Sequence, residues 1–232
     1  MQYRVLTCDY DGTLAHDGMI GAPTVAALDR FRTKGRFLLM VTGRELPDLQ
    51  NVCPVLDKFE WVVAENGALL YRPADNFSKL LCGPASPELA QKLAEAEAEP
   101  VSVGRAIIAT REPHEALVLE LQVIFNKGAV MILPTGVNKA TSLSAALKRM
   151  KIAPQHVVGV GDAENDHAFL QLCGVGVAVA NALPTLKEHA DLITRGARGQ
   201  GVIELIDRII TTDLADVTPH SRVAAVSSGA AQ

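Results

Sequence analysis

The sequence predicts an α/β protein whose core is a doubly wound parallel sheet, interrupted by a small inserted domain. Three observations support this fold class. Short, almost wholly apolar runs alternate with amphipathic segments in both the first and the last third of the chain. Strands of this composition are typical of parallel sheets that are buried on both faces. Between the two regions the alternation breaks down in a stretch interrupted by several prolines, which indicates an insert with a fold of its own.

The first 70 residues are expected to alternate between strands and helices. Apolar runs bounded by turn residues predict the strands, and apolar side chains at helical spacing predict the helices. The first helix has the apolar stripe Ala26, Ala27, Leu28 and Phe31 and ends before Gly35. The expected strands are 4–8, 36–41 and 61–64, and the expected helices are 24–33 and 46–53.

The same alternation resumes after residue 135. A helix is expected over 138–150, followed by strand 156–160, helix 164–172 and strand 175–179, and segments 184–189, 192–193 and 202–210 complete the layer. Residues 1–70 and 135–212 should therefore form one Rossmann-like core. The segment 213–232 is rich in Ser, Ala and Thr without a periodic pattern, which predicts a flexible tail or a linker.

The region 71–134 is predicted to be a small α/β domain inserted into that core. Its expected elements are an acidic, Ala-rich helix at 88–99, an apolar stretch at 102–109, a brief helix at 113–119 and strands at 121–125 and 129–133. Lys127-Gly128 between the last two runs reads as a hairpin turn, so at least one antiparallel pair is expected. The connection at residue 120 is unusually short, which means that the helix is shorter than predicted or that residues are missing there.

Composition excludes several classes of partner. The chain has 232 residues, a formal net charge of −4 and no long basic run, so neither nucleic acid nor a membrane surface is an expected partner. No apolar run approaches the ~20 residues that span a bilayer, and no leader pattern precedes the first strand. The four cysteines lack metal-type spacing, and a reducing cytoplasm is the expected location. The sequence leaves the oligomeric state open.

Asp9 and Asp11 follow the first strand directly, and Gly12 allows the chain to turn after them. Side chains two apart in an extended segment point to the same face, where two carboxylates repel each other unless a cation or a shared proton intervenes. The pair therefore indicates a Mg²⁺ site, acid/base chemistry or both, although the four residues 9–12 taken alone fit a polar turn that closes a strand better. A calcium loop is excluded because its sixth and twelfth positions would need Gly and Glu.

Other polar residues follow the ends of other predicted strands. Because ligand sites in doubly wound sheets form at the carboxyl ends of strands, Asp9, Thr42, Glu65-Asn66 and Asp162 are expected to converge on one rim. The Thr42 hydroxyl and the Gly43 N–H are suited to hold a phosphoryl oxygen, or Thr42 merely caps a turn. Arg44 is expected either to contact a substrate phosphate or to be a solvent-exposed residue at the start of a helix.

Lys139 and a cluster of acids complete the candidate site. A lysine in the first turn of a helix is disfavoured by the helix dipole, so Lys139 needs an anionic partner such as Asp9 or a phosphoryl group. Acids at a helix start are common caps, but with Asp9 and Asp11 across the rim the segment 161–166 would complete an all-oxygen Mg²⁺ site.

These motifs occur in the order Asp9-Tyr10-Asp11-Gly12-Thr13-Leu14, Val41-Thr42-Gly43-Arg44, Lys139 and Gly161-Asp162-Ala163-Glu164-Asn165-Asp166. This order resembles the haloacid dehalogenase-type phosphatases over about residues 3–210. The insert that follows Glu65-Asn66-Gly67-Ala68 resembles the type-II, subclass B cap of Cof-like members. That group includes phosphoglycolate, sucrose-phosphate and trehalose-phosphate phosphatases as well as phosphomannomutases.

The resemblance implies a role for each residue. Asp9 would attack phosphorus, Asp11 would act as general acid and base, and Thr42 and Lys139 would complete the catalytic set. Metal binding would fall to Asp9, Asp11, Asp162 and Asp166, the last acting through water or by steadying Lys139. Gly43, Arg44, Asn66 and Asn165 would hold the substrate. In the cap, Arg105, Asn126 and Lys127 are candidates for substrate contact, although each is also an ordinary solvated loop residue.

The expected function is Mg²⁺-dependent hydrolysis of a small phosphomonoester, such as a sugar phosphate or phosphoglycolate. Two alternatives remain at this point. A phosphomutase would return the phosphoryl group to a sugar and would depend on a bisphosphate activator. A non-catalytic module would only sense a phosphorylated ligand, with 213–232 as a linker to a larger protein.

Overall fold

The computed structural model describes residues 1–95, 101–111, 122–126, 129–133 and 136–219. The strands in chain order are β1 (Val5–Asp9), β2 (Phe37–Val41), β3 (Trp61–Ala64), β4 (Leu69–Arg72), β5 (Phe77–Leu80), β6 (Ser102–Val103), β7 (Ile108–Arg111), β8 (Gln122–Asn126), β9 (Ala129–Leu133), β10 (Val157–Gly161), β11 (Val175–Ala178) and β12 (Leu192–Ile193). The helices are α1 (Ala22–Thr33), α2 (Leu46–Val52), α3 (Pro87–Glu95), α4 (Lys139–Met150), α5 (His167–Leu172), α6 (Pro184–Glu188) and α7 (Arg198–Thr212).

Eight strands form the core sheet in the order β12-β11-β10-β1-β2-β3-β4-β5. The six strands from β12 to β3 are parallel, and every residue of β1, β3, β10 and β11 is buried. The predicted α/β class with a doubly wound parallel sheet is confirmed. From β1 the chain builds one side of the sheet through β2 and β3, and it later builds the other side through β10 and β11. The two directions therefore diverge at β1, where such sheets form their ligand sites.

The core sheet extends further along the chain than the sequence analysis predicted. It was expected to end near residue 70, but β4 and β5 add two antiparallel strands that run to Leu80. Pro73 begins a short 3₁₀ turn, and Asn76 adopts a left-handed conformation that reverses the chain. The proline that indicated a break is thus part of a hairpin connection, and it lies outside both strands, where its missing N–H costs no ladder bond.

The insert is a small α/β cap made of α3 and the antiparallel sheet β6-β7-β9-β8. The expected antiparallel pair is present between β8 and β9. A separate apolar cluster holds α3 against the sheet through Leu89, Leu93, Ile108 and Ile132. The apolar stretch predicted over 102–109 is divided into β6 and β7 by a turn at 104–107. The predicted helix 113–119 and the Lys127-Gly128 turn lie outside the described residues.

The first residues after α7 pack onto the core, although a flexible tail was expected from residue 213. Leu214 is 1% exposed and belongs to the main apolar cluster. The Asp213 carboxylate accepts hydrogen bonds from the backbone N–H groups of Gln2 and Tyr3 and pairs with Arg36 over 2.9 Å. Residues 220–232 lie outside the described part. Among the helices that are described, none combines the length and apolarity needed to cross a bilayer.

Candidate active site

The segments that were expected to converge do meet at one rim of the core sheet. Asp9 ends β1, Thr42 follows β2, Glu65 and Asn66 follow β3, and Asp162 follows β10. A cavity of about 380 Å³ opens between this rim and the cap. Its walls are Asp9, Asp11, Gly43, Arg44, Glu45 and Asp48 from the core and Ser102, Ile107, Ala109 and Met131 from the cap.

Asp9 lies at the base of this cavity in contact with Lys139. The Lys139 ammonium donates to Asp9 Oδ1 over 2.7 Å and to Asp166 Oδ1 over 2.6 Å. Burial raises the pKa of Asp9, and the Asp166 carboxylate raises it further, while Lys139 opposes both effects. The position is therefore unfavourable for an anion unless positive charge is close by.

The lysine is fixed in place by the start of its helix. Lys139 is the first residue of α4, and Asn138 caps that helix by accepting the Thr141 N–H over 2.9 Å. Burial alone would lower the pKa of Lys139, but the neighbouring Asp166 and Asp9 carboxylates outweigh it and raise the pKa above its ordinary value. Lys139 therefore stays charged. A lysine in the first turn of a helix was expected to need an anionic partner, and Asp9 and Asp166 are those partners.

Three buried carboxylates form a cluster that suits a hard cation. One oxygen from each of Asp9, Asp162 and Asp166 lies within 4.8 Å of the others. Asp166 Oδ2 also accepts the backbone N–H groups of Asp162 over 2.8 Å and Ala163 over 3.0 Å, which fixes the turn between β10 and α5. An all-oxygen donor set with excess negative charge is typical of sites for hard divalent cations.

The Asp11 carboxylate is turned away from that cluster. It accepts two hydrogen bonds from Arg44, over 2.6 Å from Nε and 2.8 Å from Nη2. Arg44 also donates to Asp48 over 2.6 Å and lies over the Tyr10 ring. The structure thus joins Asp11 to a cavity-lining arginine, whereas the sequence placed Asp11 among the metal ligands.

Thr42 and Gly43 form the turn after β2. The Thr42 hydroxyl accepts the Arg44 N–H over 3.1 Å, as in a capped turn, and keeps its own proton available for an anion. Gly43 lines the cavity, and a Cβ there would lie 2.9 Å from Met131 Cε of the cap. Glycine at this position therefore allows the cap to approach the rim closely.

Asn66 and Asn165 connect two parts of the rim. Asn165 Nδ2 donates to Asn66 Oδ1 over 2.9 Å, and Asn66 also contacts the Met131 sulfur of the cap. The buried Asn165 Oδ1 atom has no hydrogen-bond partner among the described residues, so it is a candidate for contact with a bound group. Both side chains thus lie at the rim where the sequence analysis expected substrate-binding residues.

The structure places another candidate, Arg105, outside the cavity. The Arg105 guanidinium donates to Ser78 over 3.0 Å on the outer strand β5, and Arg105 is not among the residues that line the cavity. Lys127 and the side chain of Asn126 are not among the described residues.

Glu65 is a functional candidate to which the sequence analysis assigned no role. Its carboxylate is fully buried and accepts backbone N–H groups of the cap turn 105–107. Its position beside Asn66 was evident from the sequence, but contact with the cap depends on how the insert folds back over the rim. No residue pattern near Glu65 in the sequence indicates its contact with the cap.

A carboxylate at the end of the central strand, held by a buried lysine next to a candidate metal site, is typical of hydrolases with an aspartate nucleophile. The chain belongs to the haloacid dehalogenase-like hydrolases, whose family model matches residues 6–100 and 105–206. The predicted family is thereby confirmed.

Individual relatives and structures agree with this assignment. Phosphoglycolate phosphatase 2 of Saccharolobus solfataricus is 30% identical over 220 residues, covering 89% of this chain and 92% of that protein. Phosphoglycolate phosphatase of Methanothermobacter thermautotrophicus is 29% identical over 218 residues, covering 89% of this chain and 99% of that protein. A haloacid dehalogenase-like hydrolase from Bacteroides thetaiotaomicron shares the fold with a TM-score of 0.72 at 20% identity, covering 89% of this chain and 99% of its own.

Proposed function

We propose that this hydrolase releases phosphate from small phosphomonoesters through an aspartyl-phosphate on Asp9, with Mg²⁺ as cofactor. The observation that carries this proposal is the Asp9–Lys139 contact at the base of the cavity. Several relatives across 87–92% of this chain are phosphoglycolate phosphatases, which makes phosphoglycolate the first substrate to test. The class that the sequence predicted, a phosphoric monoester hydrolase, is confirmed at the level of family and relatives.

In the first step, an Asp9 carboxylate oxygen attacks phosphorus and the ester oxygen departs. Lys139 is close enough to Asp9 to neutralise charge on the transferring group. The departing alkoxide takes a proton from Asp11, which lines the same cavity and has to enter this step as the carboxylic acid. The Thr42 hydroxyl and Gly43 N–H are suited to bind phosphoryl oxygens, and Arg44 is suited to bind the phosphate or the leaving group.

In the second step, water hydrolyses the acyl phosphate. Asp11, now deprotonated, removes a proton from the attacking water, so that phosphate leaves and the Asp9 carboxylate is restored. Arg44 donates to both Asp11 oxygens and thereby orients the carboxylate, and one of these two bonds has to open for Asp11 to carry the proton. One residue can then serve as acid in the first step and base in the second.

The acidic cluster supports Mg²⁺ as the cofactor. Asp9 and Asp162 would hold the ion, and Asp166 would contribute while it anchors Lys139. A bound Mg²⁺ would neutralise the substrate phosphate and orient it for attack. The raised pKa of Asp9 is consistent with this assignment, because the buried carboxylate gains most from a cation.

We place this activity in the cytoplasm, with a small phosphorylated metabolite as the partner. All four cysteines are free thiols, and three of them are buried, which is typical of a reducing compartment. The cavity of about 380 Å³ suits a compact ester. Neither nucleic acid nor a membrane surface is proposed as a partner.

The proposal is tested by Mg²⁺-dependent phosphate release from phosphoglycolate and a panel of sugar phosphates. The wild type should release phosphate only with Mg²⁺, and Asp9→Asn should abolish release because an amide cannot form the acyl phosphate. The matched control is Asp29→Asn, on α1, whose carboxylate pairs with Lys58 outside the cavity. Release that requires a bisphosphate activator would favour the mutase. Binding without release from any compound would favour the sensing module.

A further inference from the structure

One buried carboxylate joins the cap to the rim of the core without touching the reacting groups described above. Glu65 follows β3 and is 0% exposed. Its Oε2 accepts the backbone N–H groups of Ala106 over 2.8 Å and Ile107 over 3.2 Å, and its Oε1 accepts that of Arg105 over 3.2 Å. Three successive amides of the cap turn therefore surround a single core carboxylate.

We propose that Glu65 is a positioning residue that fixes the cap over the active-site cavity through these three amides. The amides carry partial positive charge, so they offset the cost of burying the carboxylate. Ile107 donates one of the bonds and also lines the cavity above Asp9 and Asp11. The carboxylate thus sets where the cap wall stands relative to the substrate.

The other end of Glu65 is tied to the turn that carries Thr42 and Gly43. The Glu65 N–H donates to the Arg44 carbonyl over 3.0 Å, and the Asn66 N–H donates to the Thr42 carbonyl over 3.0 Å. Glu65 and Asn66 both have positive φ, 51° and 50°, a conformation that costs non-glycine residues free energy. This backbone directs the Glu65 side chain toward the cap while Asn66 stays at the rim.

The cap turn has a complementary feature at Gly104. A Cβ at this position would lie 2.8 Å from Glu65 Oε2 and 2.7 Å from Ile107 Cγ2. The Gly104 N–H donates to the Ile107 carbonyl over 2.8 Å, which closes the turn around the carboxylate. A glycine at position 104 allows the turn and the carboxylate to approach this closely. The contact therefore depends on Gly104 in the cap as well as on Glu65 in the core.

The first test measures the contact without relying on catalysis. In Glu65→Gln the amide NH₂ faces one of the three N–H donors, so that donor loses its acceptor. Amide hydrogen exchange in peptides spanning 101–111 should become roughly tenfold faster, while exchange in β1 and β10 stays unchanged. The control is Glu204→Gln, because Glu204 accepts the N–H groups of Arg195 and Gly196 in the turn after the edge strand β12. It should leave exchange in 101–111 unaltered.

The second test depends on the proposed function and asks how the contact affects turnover. In Glu65→Gln the KM for phosphoglycolate should rise roughly tenfold, because a displaced cap wall binds the leaving group poorly. The kcat should stay within about threefold, since Asp9, Asp11 and Lys139 are unaffected. Gly104→Ala should reproduce both effects from the cap side, and the double variant should be no worse than either single variant.

Three outcomes would overturn the inference. Unchanged exchange in 101–111 would show that the carboxylate does not hold the cap. A fall in kcat with an unchanged KM would show that Glu65 acts on the chemistry instead. Faster exchange throughout the core would make Glu65 a general stabilising residue. A wild-type protein without phosphatase activity would refute the proposed function alone, because the exchange measurement still decides the role of Glu65.

Discussion

Lys139 and Asp9 form an ion pair across 2.7 Å, with side chains that are 1% and 7% exposed. The pair joins the first turn of α4 to the end of β1, two elements separated by the whole cap in the sequence. Buried pairs add little net stability because desolvation offsets their attraction, whereas loss of one partner leaves an unpaired buried charge. The pair therefore contributes less to folding stability than to keeping a positive charge beside Asp9 at the base of the cavity.

Replacing the lysine should damage both stability and turnover. Lys139→Met leaves Asp9 and Asp166 buried without a cation, so the free energy of unfolding should fall by about 3–5 kcal/mol in the absence of metal. Phosphate release should fall at least about 100-fold because the transferring group loses its neutralising charge. Chemical denaturation and steady-state kinetics would measure both effects. Lys148→Met, an exposed lysine in the last turn of the same helix, should change neither. Wild-type turnover in Lys139→Met would contradict the mechanism.

Magnesium should stabilise the folded protein through the carboxylate cluster. At a concentration 100 times its dissociation constant, a ligand that binds only the folded state adds about 2.7 kcal/mol. Thermal unfolding with and without Mg²⁺ should show this increase in the wild type and lose most of it in Asp162→Asn. Asp11→Asn should retain it, because the Asp11 carboxylate faces Arg44 and lies outside the cluster. Loss of the effect in Asp11→Asn would restore Asp11 as a side-chain ligand.

Arg44 should be sensitive even to a substitution that keeps its charge. Lysine cannot make the two parallel hydrogen bonds that Arg44 gives Asp11, so Arg44→Lys leaves the acid/base group poorly oriented. We expect kcat/KM to fall roughly tenfold. Asp48→Asn is the matched control, since it weakens only the outer contact of Arg44 and should change kcat/KM by less than about threefold. Equal losses in the two variants would show that the Asp11 contact has no special importance.

Asp213 should make stability depend on pH. Partial burial alone would raise the pKa of this carboxyl, but the N–H groups of Gln2 and Tyr3 and the charge of Arg36 lower it below its ordinary value. Because the folded-state pKa is depressed, the stabilisation is present above the unfolded pKa of about 3.9 and is lost as pH falls through the folded value.

Asp213→Asn should therefore cost about 1 kcal/mol of unfolding free energy at pH 7 and very little at a pH below the depressed folded-state pKa. Denaturant unfolding at both pH values would measure the difference from the wild type. Asp207→Asn, which breaks the exposed pair with Arg30, should have a smaller effect at pH 7. A penalty for Asp213→Asn that does not change with pH would contradict the linkage.

The sequence predicted those parts of the molecule in which local pattern and burial agree. The strands β1, β2, β3, β10 and β11 are apolar almost throughout, because both faces of a parallel sheet are covered. The polar residues after these strands could be placed at one rim because the carboxyl ends of parallel strands lie at the same edge of the sheet. Individual roles for Thr42, Gly43, Asn66 and Asn165 remain predictions, although the structure brings all four to that rim.

Other features could not be read from local pattern. The strand β5 has exposed and partly exposed residues at the edge of the sheet, so its composition resembles that of a loop. The orientation of Asp11 toward Arg44 results from a contact between residues that follow different strands. The Glu65 contact requires the whole insert to return over the rim. Each of these three features depends on tertiary packing. The spacing of residues within one segment of the sequence does not indicate how that segment packs against others.

The central position of β1 has a consequence for how the chain reaches this structure. Val5 pairs with Phe37 on one side and with Val157 on the other. At typical synthesis rates of ~5–20 residues per second, the second partner emerges from the ribosome on the order of ten seconds after the first. During that interval one edge of β1 is unpaired, and an open strand edge of this kind can pair with other chains. The first strand to be made is thus among the last to be completed.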